Sequence, residues 1–195
     1  MIQVQLTPEC AARLLRELSR AGSNEVGGVL ATEHVGGEIF RIVDLSVQRK
    51  SGSLAAFSRD AKYHKRFMRR FFDLTGHQYE RFNYLGEWHS HPSFPALPSS
   101  TDLCTMYELL SAPDQPANFL VLVIVKRNFS GKLEGSAHAF VRGRPPLRVP
   151  LLVPGYGEVV TAVGASPRMS LRKSLAMRAE GIRPRPSRRQ TQIGS

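Results

Sequence analysis

The sequence has few cysteines and no long apolar run, and these two absences exclude whole classes of protein. Its two cysteines, Cys10 and Cys104, cannot form a disulfide framework or a cysteine-based zinc site. Both fall inside predicted helices, where we expect buried thiols in a reducing cytoplasm. No stretch approaches the ~18 apolar residues that a membrane span needs. Residues 1–6 alternate like a strand and lack a secretory pattern, so we expect a cytoplasmic protein.

Acidic residues are scarce near the C-terminus. The chain carries a net charge of +11, and residues 165–195 hold eight Arg or Lys residues against one acid, Glu180, which gives +7. This segment has no aromatic residue on which a base could stack, so we do not expect a nucleic-acid partner. The sequence predicts one domain over residues 1–154 and a basic, largely disordered tail over residues 155–195.

The remaining sequence is typical of a single globular domain with 42% hydrophobic residues. Residues 119–125 are apolar throughout and rich in β-branched side chains, which predicts a strand buried on both faces. The segment from Arg148 to Val153 is expected to add an edge strand. Helices are predicted after Thr7, after Ser58 and from Asp102 to Ser111. The order of these elements predicts an α/β fold in which a mixed sheet is flanked by helices.

Two histidines and an aspartate have the spacing of metal ligands. His89 and His91 alternate on a predicted strand, so both side chains point to one face. Prolines 92, 95 and 98 then forbid a helix, and Ser99 stands where one should begin, with Asp102 in its first turn. Two imidazoles and a carboxylate, with a fourth position left for water, form a catalytic zinc set.

Each part of this pattern also has an ordinary structural interpretation. An isolated His-x-His is more often a surface pair, and Ser99 with Asp102 could be only a helix cap. A further carboxylate, Glu25, precedes the apolar segment Val26-Gly27-Gly28-Val29-Leu30, where its burial would be costly without a partner or a task. Acting as general base for a zinc-bound water is such a task.

Neighbouring residues are expected to be structural. Strand alternation turns Trp88 away from the metal and into the core, whereas Glu87 lies on the metal side, where we expect a salt bridge or hydrogen bond rather than catalysis. His64, on the second predicted helix, is expected to be packed or hydrogen-bonded and not a ligand.

Taken together, Glu25, His89-x-His91, Ser99 and Asp102 resemble the signature of the JAMM (JAB/MPN) metalloproteases. Within that family the chain looks most like small bacterial JAB proteins encoded beside ubiquitin-like activating and conjugating enzymes. That narrower likeness rests on residues 56–60, His64 and residues 84–88. The resemblance implies an MPN-type (cytidine-deaminase-like) fold with one zinc ion per chain.

The resemblance also implies an activity. Similar proteins cleave after the C-terminal glycine of a ubiquitin-like protein, during deconjugation from lysine or precursor processing, and such systems act in defence against phage. Glu25 would then be the general base, and Ser99 would donate a hydrogen bond to the oxyanion. The ubiquitin-like protein, its conjugates and the cognate enzymes would be the partners. The alternatives are a non-catalytic MPN scaffold and a nucleic-acid-associated protein that acts through its basic tail.

Overall fold

Strands and helices follow one another in the order predicted from the sequence. The computed structural model describes residues 1–49, 61–113, 115–155 and 157–159. The helices are α1 (Pro8–Ala21), α2 (Ala61–Leu74) and α3 (Ser100–Ser111). The strands are β1 (Gln3–Leu6), β2 (Val26–Gly36), β3 (Ile39–Leu45), β4 (Gln48–Arg49), β5 (Phe82–Ser90), β6 (Phe119–Arg127), β7 (Leu133–Val141), β8 (Leu147–Val149), β9 (Leu151–Val153) and β10 (Gly157–Glu158).

Some expectations fall on residues that the structure does not describe. They concern the helix cap at Ser58, the likeness over residues 56–60, and the tail beyond residue 159. The described residues all belong to a unit that spans Met1–Ala162, and a second unit, Val163–Ser195, lies outside them. No helix in the described part of the chain is both long enough and apolar enough to cross a membrane.

The strands form one mixed sheet in the order β10-β9-β1-β3-β2-β5-β6-β7-β8, with β4 paired to β2. Three pairs are parallel, namely β1 with β3, β1 with β9, and β5 with β6. The other pairs are antiparallel. The predicted mixed sheet with flanking helices is therefore confirmed.

Two hydrophobic clusters lie on opposite faces of the central strand β6. Val121, Val123 and Val125 belong to one cluster, together with Trp88 and side chains of α1. The alternate residues of β6 belong to the other cluster, which includes Met106 and Leu110 of α3. Strand β6 is thus buried on both faces, as its unbroken apolar sequence predicts. The two clusters place α1 and α3 on opposite sides of the sheet.

Two glycines allow strand β5 and its neighbours to approach closely. Gly86 has a φ of +146°, and a Cβ there would lie 2.0 Å from the carbonyl oxygen of Val121 on β6. Gly28 lies on β2 beside Ser46, where a Cβ would lie 2.1 Å from the Ser46 carbonyl oxygen. A side chain at Gly86 would push β5, which carries His89, away from β6, and a side chain at Gly28 would displace Ser46.

One detail of the prediction was wrong, and another was only partly right. Cys10 is buried as expected, but Cys104 is exposed because α3 turns Met106 and Leu110 toward the core and Cys104 away from it. The segment from Arg148 to Val153 adds the expected edge strand, β8, but also a second strand, β9, that lies inside the sheet. Strand β8 pairs with β7, whereas β9 pairs with β1, and Pro150 separates them. Proline lacks an amide hydrogen for a ladder, which favours a break at that point.

Candidate metal centre

His89 and His91 converge at the carboxyl end of β5. Their Nε2 atoms are 3.1 Å apart, and both side chains are buried. The ladder with β6 fixes their backbone, because His89 is the register partner of Ile124 and the amide of His91 donates to the carbonyl oxygen of Val125 at 3.0 Å. The two imidazoles therefore lie on one face of the sheet, as their spacing predicts.

Asp102 lies on the first turn of α3, where a capping box orients its carboxylate. Ser99 accepts a hydrogen bond from the Asp102 amide, and both the amide and the hydroxyl of Ser99 donate to Asp102 Oδ2 at 2.7 Å. The Asp102 oxygens lie 3.3 Å from His89 Nε2 and 3.7 Å from His91 Nε2. The proline-rich loop thus returns the carboxylate to the two imidazoles.

The three side chains are close enough to share a metal ion. One ligand atom from each lies within 4.8 Å of the others. Ligands bound to zinc at ~2.0–2.1 Å in tetrahedral geometry are about 3.4 Å apart. The two imidazole nitrogens are 3.1 Å apart, Asp102 Oδ1 is 3.3 Å from His89, and Asp102 Oδ2 is 3.7 Å from His91. Two imidazole nitrogens and a carboxylate oxygen are also the donor types that zinc accepts. His89, His91 and Asp102 could therefore hold a metal ion.

The electrostatics of the cluster keep Asp102 in its anionic form. Burial by itself raises the pKa of the Asp102 carboxyl. Hydrogen bonds from His89 and Ser99, together with the charge of His89, outweigh burial and hold that pKa well below its ordinary value. The position of Asp102 at the start of α3 also favours a negative charge. A carboxylate that is already ionised can ligate a cation without first releasing a proton.

A backbone carbonyl of the loop defines the tautomer of His91. The ring atom Nδ1 lies 2.9 Å from the carbonyl oxygen of Pro95, which can only accept a hydrogen bond. His91 Nδ1 is therefore the protonated nitrogen of the neutral ring, and the lone pair of Nε2 points toward His89 and Asp102. This is the orientation that a metal-ligating histidine requires.

Glu25 lies immediately before β2, at the same end of the sheet. Its neighbour Val26 donates a hydrogen bond to Ser90 Oγ at 3.0 Å, and Gly27 is the register partner of His89. Opposed residues of an antiparallel pair share a face, so continuing this register sets the half-buried Glu25 opposite His91. The fold thus brings Glu25 to the strand end that carries both histidines.

The neighbouring residues occupy the predicted positions. Trp88 is fully buried in the hydrophobic cluster that includes side chains of α1, called here the α1-side cluster. Its Nε1 donates to the Ser46 carbonyl oxygen. Glu87 is the register partner of Leu122, which shares the face of His89. His64 is buried on α2, with Nδ1 3.0 Å from Ser46 Oγ and Nε2 3.0 Å from Gln48 Oε1. The expectation that His64 is packed and hydrogen-bonded is confirmed.

The sequence did not predict the hydrogen bonds that β6 and β7 make with the loop between His91 and α3. Lys126 Nζ donates to the Phe94 carbonyl oxygen, and Ser136 Oγ donates to the Ala96 carbonyl oxygen. His138 Nε2 lies 3.0 Å from Ser136 Oγ. The available signal was the polar pair Ser136 and His138, which alternates with Ala137 and Ala139 just as His89 and His91 alternate on their strand.

A mixed sheet whose strand β5 ends in two histidines beside a helix-borne aspartate defines an α/β domain with a candidate metal centre. The chain belongs to the family of prokaryotic homologs of the JAB domain, whose model matches residues 7–138. All five predicted site residues lie within this match.

Two known proteins are similar to the chain. A protein of Enterobacter hormaechei subsp. hoffmannii (strain UCI 50), named CD-NTase/cGAS isopeptidase, is 26% identical over 141 residues, which cover 70% of this chain and 74% of the relative. The solution structure of a protein from Desulfitobacterium hafniense matches with a TM-score of 0.58 and 20% identity, covering 77% of this chain and 92% of the other. The latter likeness supports the fold alone.

Proposed function

We propose that this chain is a cytoplasmic, zinc-dependent isopeptidase that cleaves after the C-terminal glycine of a ubiquitin-like protein. The observation that carries the proposal is the cluster of His89, His91 and Asp102, whose ligand atoms lie within 4.8 Å of one another, with a His91 tautomer suited to ligation. The relative named an isopeptidase supports hydrolysis of an amide bond. The catalytic domain, predicted over residues 1–154, is proposed to continue through Val159, because β10 pairs with β9 and Val159 is buried in the core. The basic tail follows it.

In this proposal His89, His91 and Asp102 hold one zinc ion, which lowers the pKa of water toward ~7 when bound. Glu25 accepts a proton from the attacking water and returns it to the departing amine. Ser99 donates a hydrogen bond to the oxyanion of the substrate, and removing such a donor typically costs ~10²–10³ in rate. The Ser99 hydroxyl now donates to Asp102, so it must rotate before it can serve the substrate.

The proposed substrate is the extended C-terminal tail of a ubiquitin-like protein, joined to a lysine or to a short extension. A glycine-rich tail has little side-chain bulk and can pair with a strand inside a narrow groove, from which bulkier peptides are excluded. The resemblance to bacterial JAB proteins extends this proposal to a defence system against phage. The conjugates and the activating and conjugating enzymes of that system would be the partners.

Metal content and turnover test this function together. Elemental analysis should find one zinc per wild-type chain, and little in a His89→Ala/His91→Ala variant. Glu25→Gln should keep its zinc but cleave a ubiquitin-like fusion ~10²–10⁴-fold more slowly, because it lacks the general base. Glu108→Gln is the matched control, since Glu108 is an exposed glutamate of α3. This control should have wild-type activity.

The outcomes separate the alternatives. A wild-type protein without zinc that binds the ubiquitin-like protein and never cleaves it is a scaffold, and the proposal is then wrong. A Glu25→Gln variant that turns over at the wild-type rate means that another residue is the base.

A further inference from the structure

The loop between His91 and α3 is held mostly by side chains, and within its own backbone the amide of Leu97 donates to the Pro95 carbonyl oxygen at 2.8 Å. Prolines at three of its positions lack an amide hydrogen, which limits internal pairing. Instead, three consecutive carbonyl oxygens accept side-chain hydrogen bonds. Phe94 O accepts from Lys126 Nζ at 3.0 Å, Pro95 O from His91 Nδ1 at 2.9 Å, and Ala96 O from Ser136 Oγ at 2.5 Å.

The contact from Ser136 is the most deeply buried of the three. Ser136 is 1% exposed and Ala96 is 5% exposed, so water does not compete for this hydrogen bond. Ser136 is the register partner of Ile124, which is itself the partner of His89. The hydroxyl therefore lies on the same face of the sheet as the metal ligands and two strands away from them.

His138 completes the hydrogen bonding of the Ser136 hydroxyl. A carbonyl oxygen only accepts, so the single hydroxyl proton of Ser136 is committed to Ala96. The hydroxyl oxygen must then accept the hydrogen of His138 Nε2, 3.0 Å away. The result is a directed chain of donors from His138 through Ser136 to the loop.

We propose that Ser136, oriented by His138, is a positioning residue for the metal centre. By holding the Ala96 carbonyl it fixes the adjoining carbonyl of Pro95, which in turn keeps the proton of His91 on Nδ1 and leaves Nε2 free for a metal. The inference rests on the proposed function for its metal. The step that it adds is the control of a ligand tautomer by two residues of β7, a strand that does not carry the candidate ligands.

Variants of the full-length protein test this role. Ser136→Ala removes the donor to the loop. Thr32→Val is its matched control, because Thr32 is also buried and its hydroxyl donates to a backbone carbonyl, that of Asn83, away from the loop. His138→Leu removes the donor to Ser136, whereas His138→Gln keeps an N–H in a similar position.

Two measurements are made on each variant at pH 7.5. Competition with a chromophoric chelator gives the dissociation constant for zinc. Long-range ¹⁵N–¹H spectra of the metal-free protein give the tautomer of each histidine ring. We expect Ser136→Ala to bind zinc about tenfold more weakly, at the lower end of the range for residues that support metal ligands. His91 should lose its uniform Nδ1–H form in this variant. The zinc affinity and the His91 tautomer of Thr32→Val and of His138→Gln should match those of the wild type. His138→Leu should show smaller changes of the same kind as Ser136→Ala.

The result that overturns the proposal is a Ser136→Ala protein with the zinc affinity of Thr32→Val and an unchanged His91 tautomer. If Ser136→Ala fails to fold, the comparison of His138→Leu with His138→Gln decides in the same way, since equal affinities and tautomers reject the proposal. The tautomer is read without metal or substrate. A wild type that binds no zinc therefore contradicts the proposed function, and the positioning of His91 is judged separately.

Discussion

At the scale of one residue, the fold disfavours the protonated form of His138. Burial, and then the positive charge of Arg148, its register partner on β8, lower the pKa of His138 to about 4. A histidine in an unfolded chain has a pKa of ~6.5. Between these two values the unfolded state binds one proton more than the folded state. The free energy of unfolding therefore falls as the pH is lowered from ~6.5 to ~4, and this residue has no such effect at higher pH.

Replacing His138 should remove this dependence. The unfolding free energies of the wild type and of His138→Gln should differ by a constant amount above pH 7. Below ~6.5 the wild type should lose stability relative to the variant, by at most ~1.4 kcal/mol per pH unit. Urea unfolding from pH 4.5 to 8 measures both curves, and their difference cancels the contributions of other titrating groups. Curves that stay parallel throughout would show that His138 is readily protonated in the folded protein.

The candidate ligands were predictable because the rules that place them are local. Alternation on a strand set His89 and His91 on one face, and helix capping set Asp102 at the start of α3. Ser136 and the carbonyl of Pro95 could not be placed in this way. Their positions depend on the register between β5, β6 and β7, which packing between distant segments determines.

The first turn of α3 combines helix capping with ligand orientation. Ser99→Ala removes the acceptor for the Asp102 amide and one donor to its carboxylate. Thr7→Ala removes a similar cap from α1, where Thr7 accepts a hydrogen bond from the amide of Cys10. Each change should cost ~1 kcal/mol of stability, or about 2–4 °C in Tm. Ser99→Ala should also weaken zinc binding and slow turnover, while Thr7→Ala should affect neither.

Thermal unfolding, zinc titration and turnover are measured for both variants. Equal losses of zinc affinity in Ser99→Ala and Thr7→Ala would mean that weaker capping alone explains the effect. An unchanged rate in Ser99→Ala would remove Ser99 from the proposed chemistry.

At the level of elements, the prediction succeeded where a segment has a strong pattern of its own. The unbroken apolar run of β6 and the capped starts of α1 and α3 are such segments. The prediction failed where pairing with distant segments determines the structure. The short strands β8 and β9 pair with different partners, β7 and β1, although they are adjacent in sequence. The two-residue strand β4 forms only because β2 offers it a partner.

Across the whole molecule, positive charge is distributed unevenly along the chain. The sheet includes β10, which pairs with β9, and Val159 is buried in the α1-side cluster. The charge of +7 lies in residues 165–195, beyond the described residues. A stop after Val159 therefore removes the basic segment and spares the sheet, whereas a stop after Pro154 also removes β10 and Val159.

If catalysis belongs to the domain, a chain that ends at Val159 should keep its zinc, its Tm and its kcat on a ubiquitin-like fusion. Its kcat/KM should fall only at low salt, because a basic tail attracts an acidic partner over distances that ions screen beyond ~8 Å at physiological ionic strength. The chain that ends at Pro154 is the control and should have a lower Tm. Metal analysis, thermal unfolding and kinetics from 20 to 500 mM salt measure these effects. A Val159-terminated protein that is folded and zinc-loaded, yet inactive at every salt concentration, would show that the tail completes the active site.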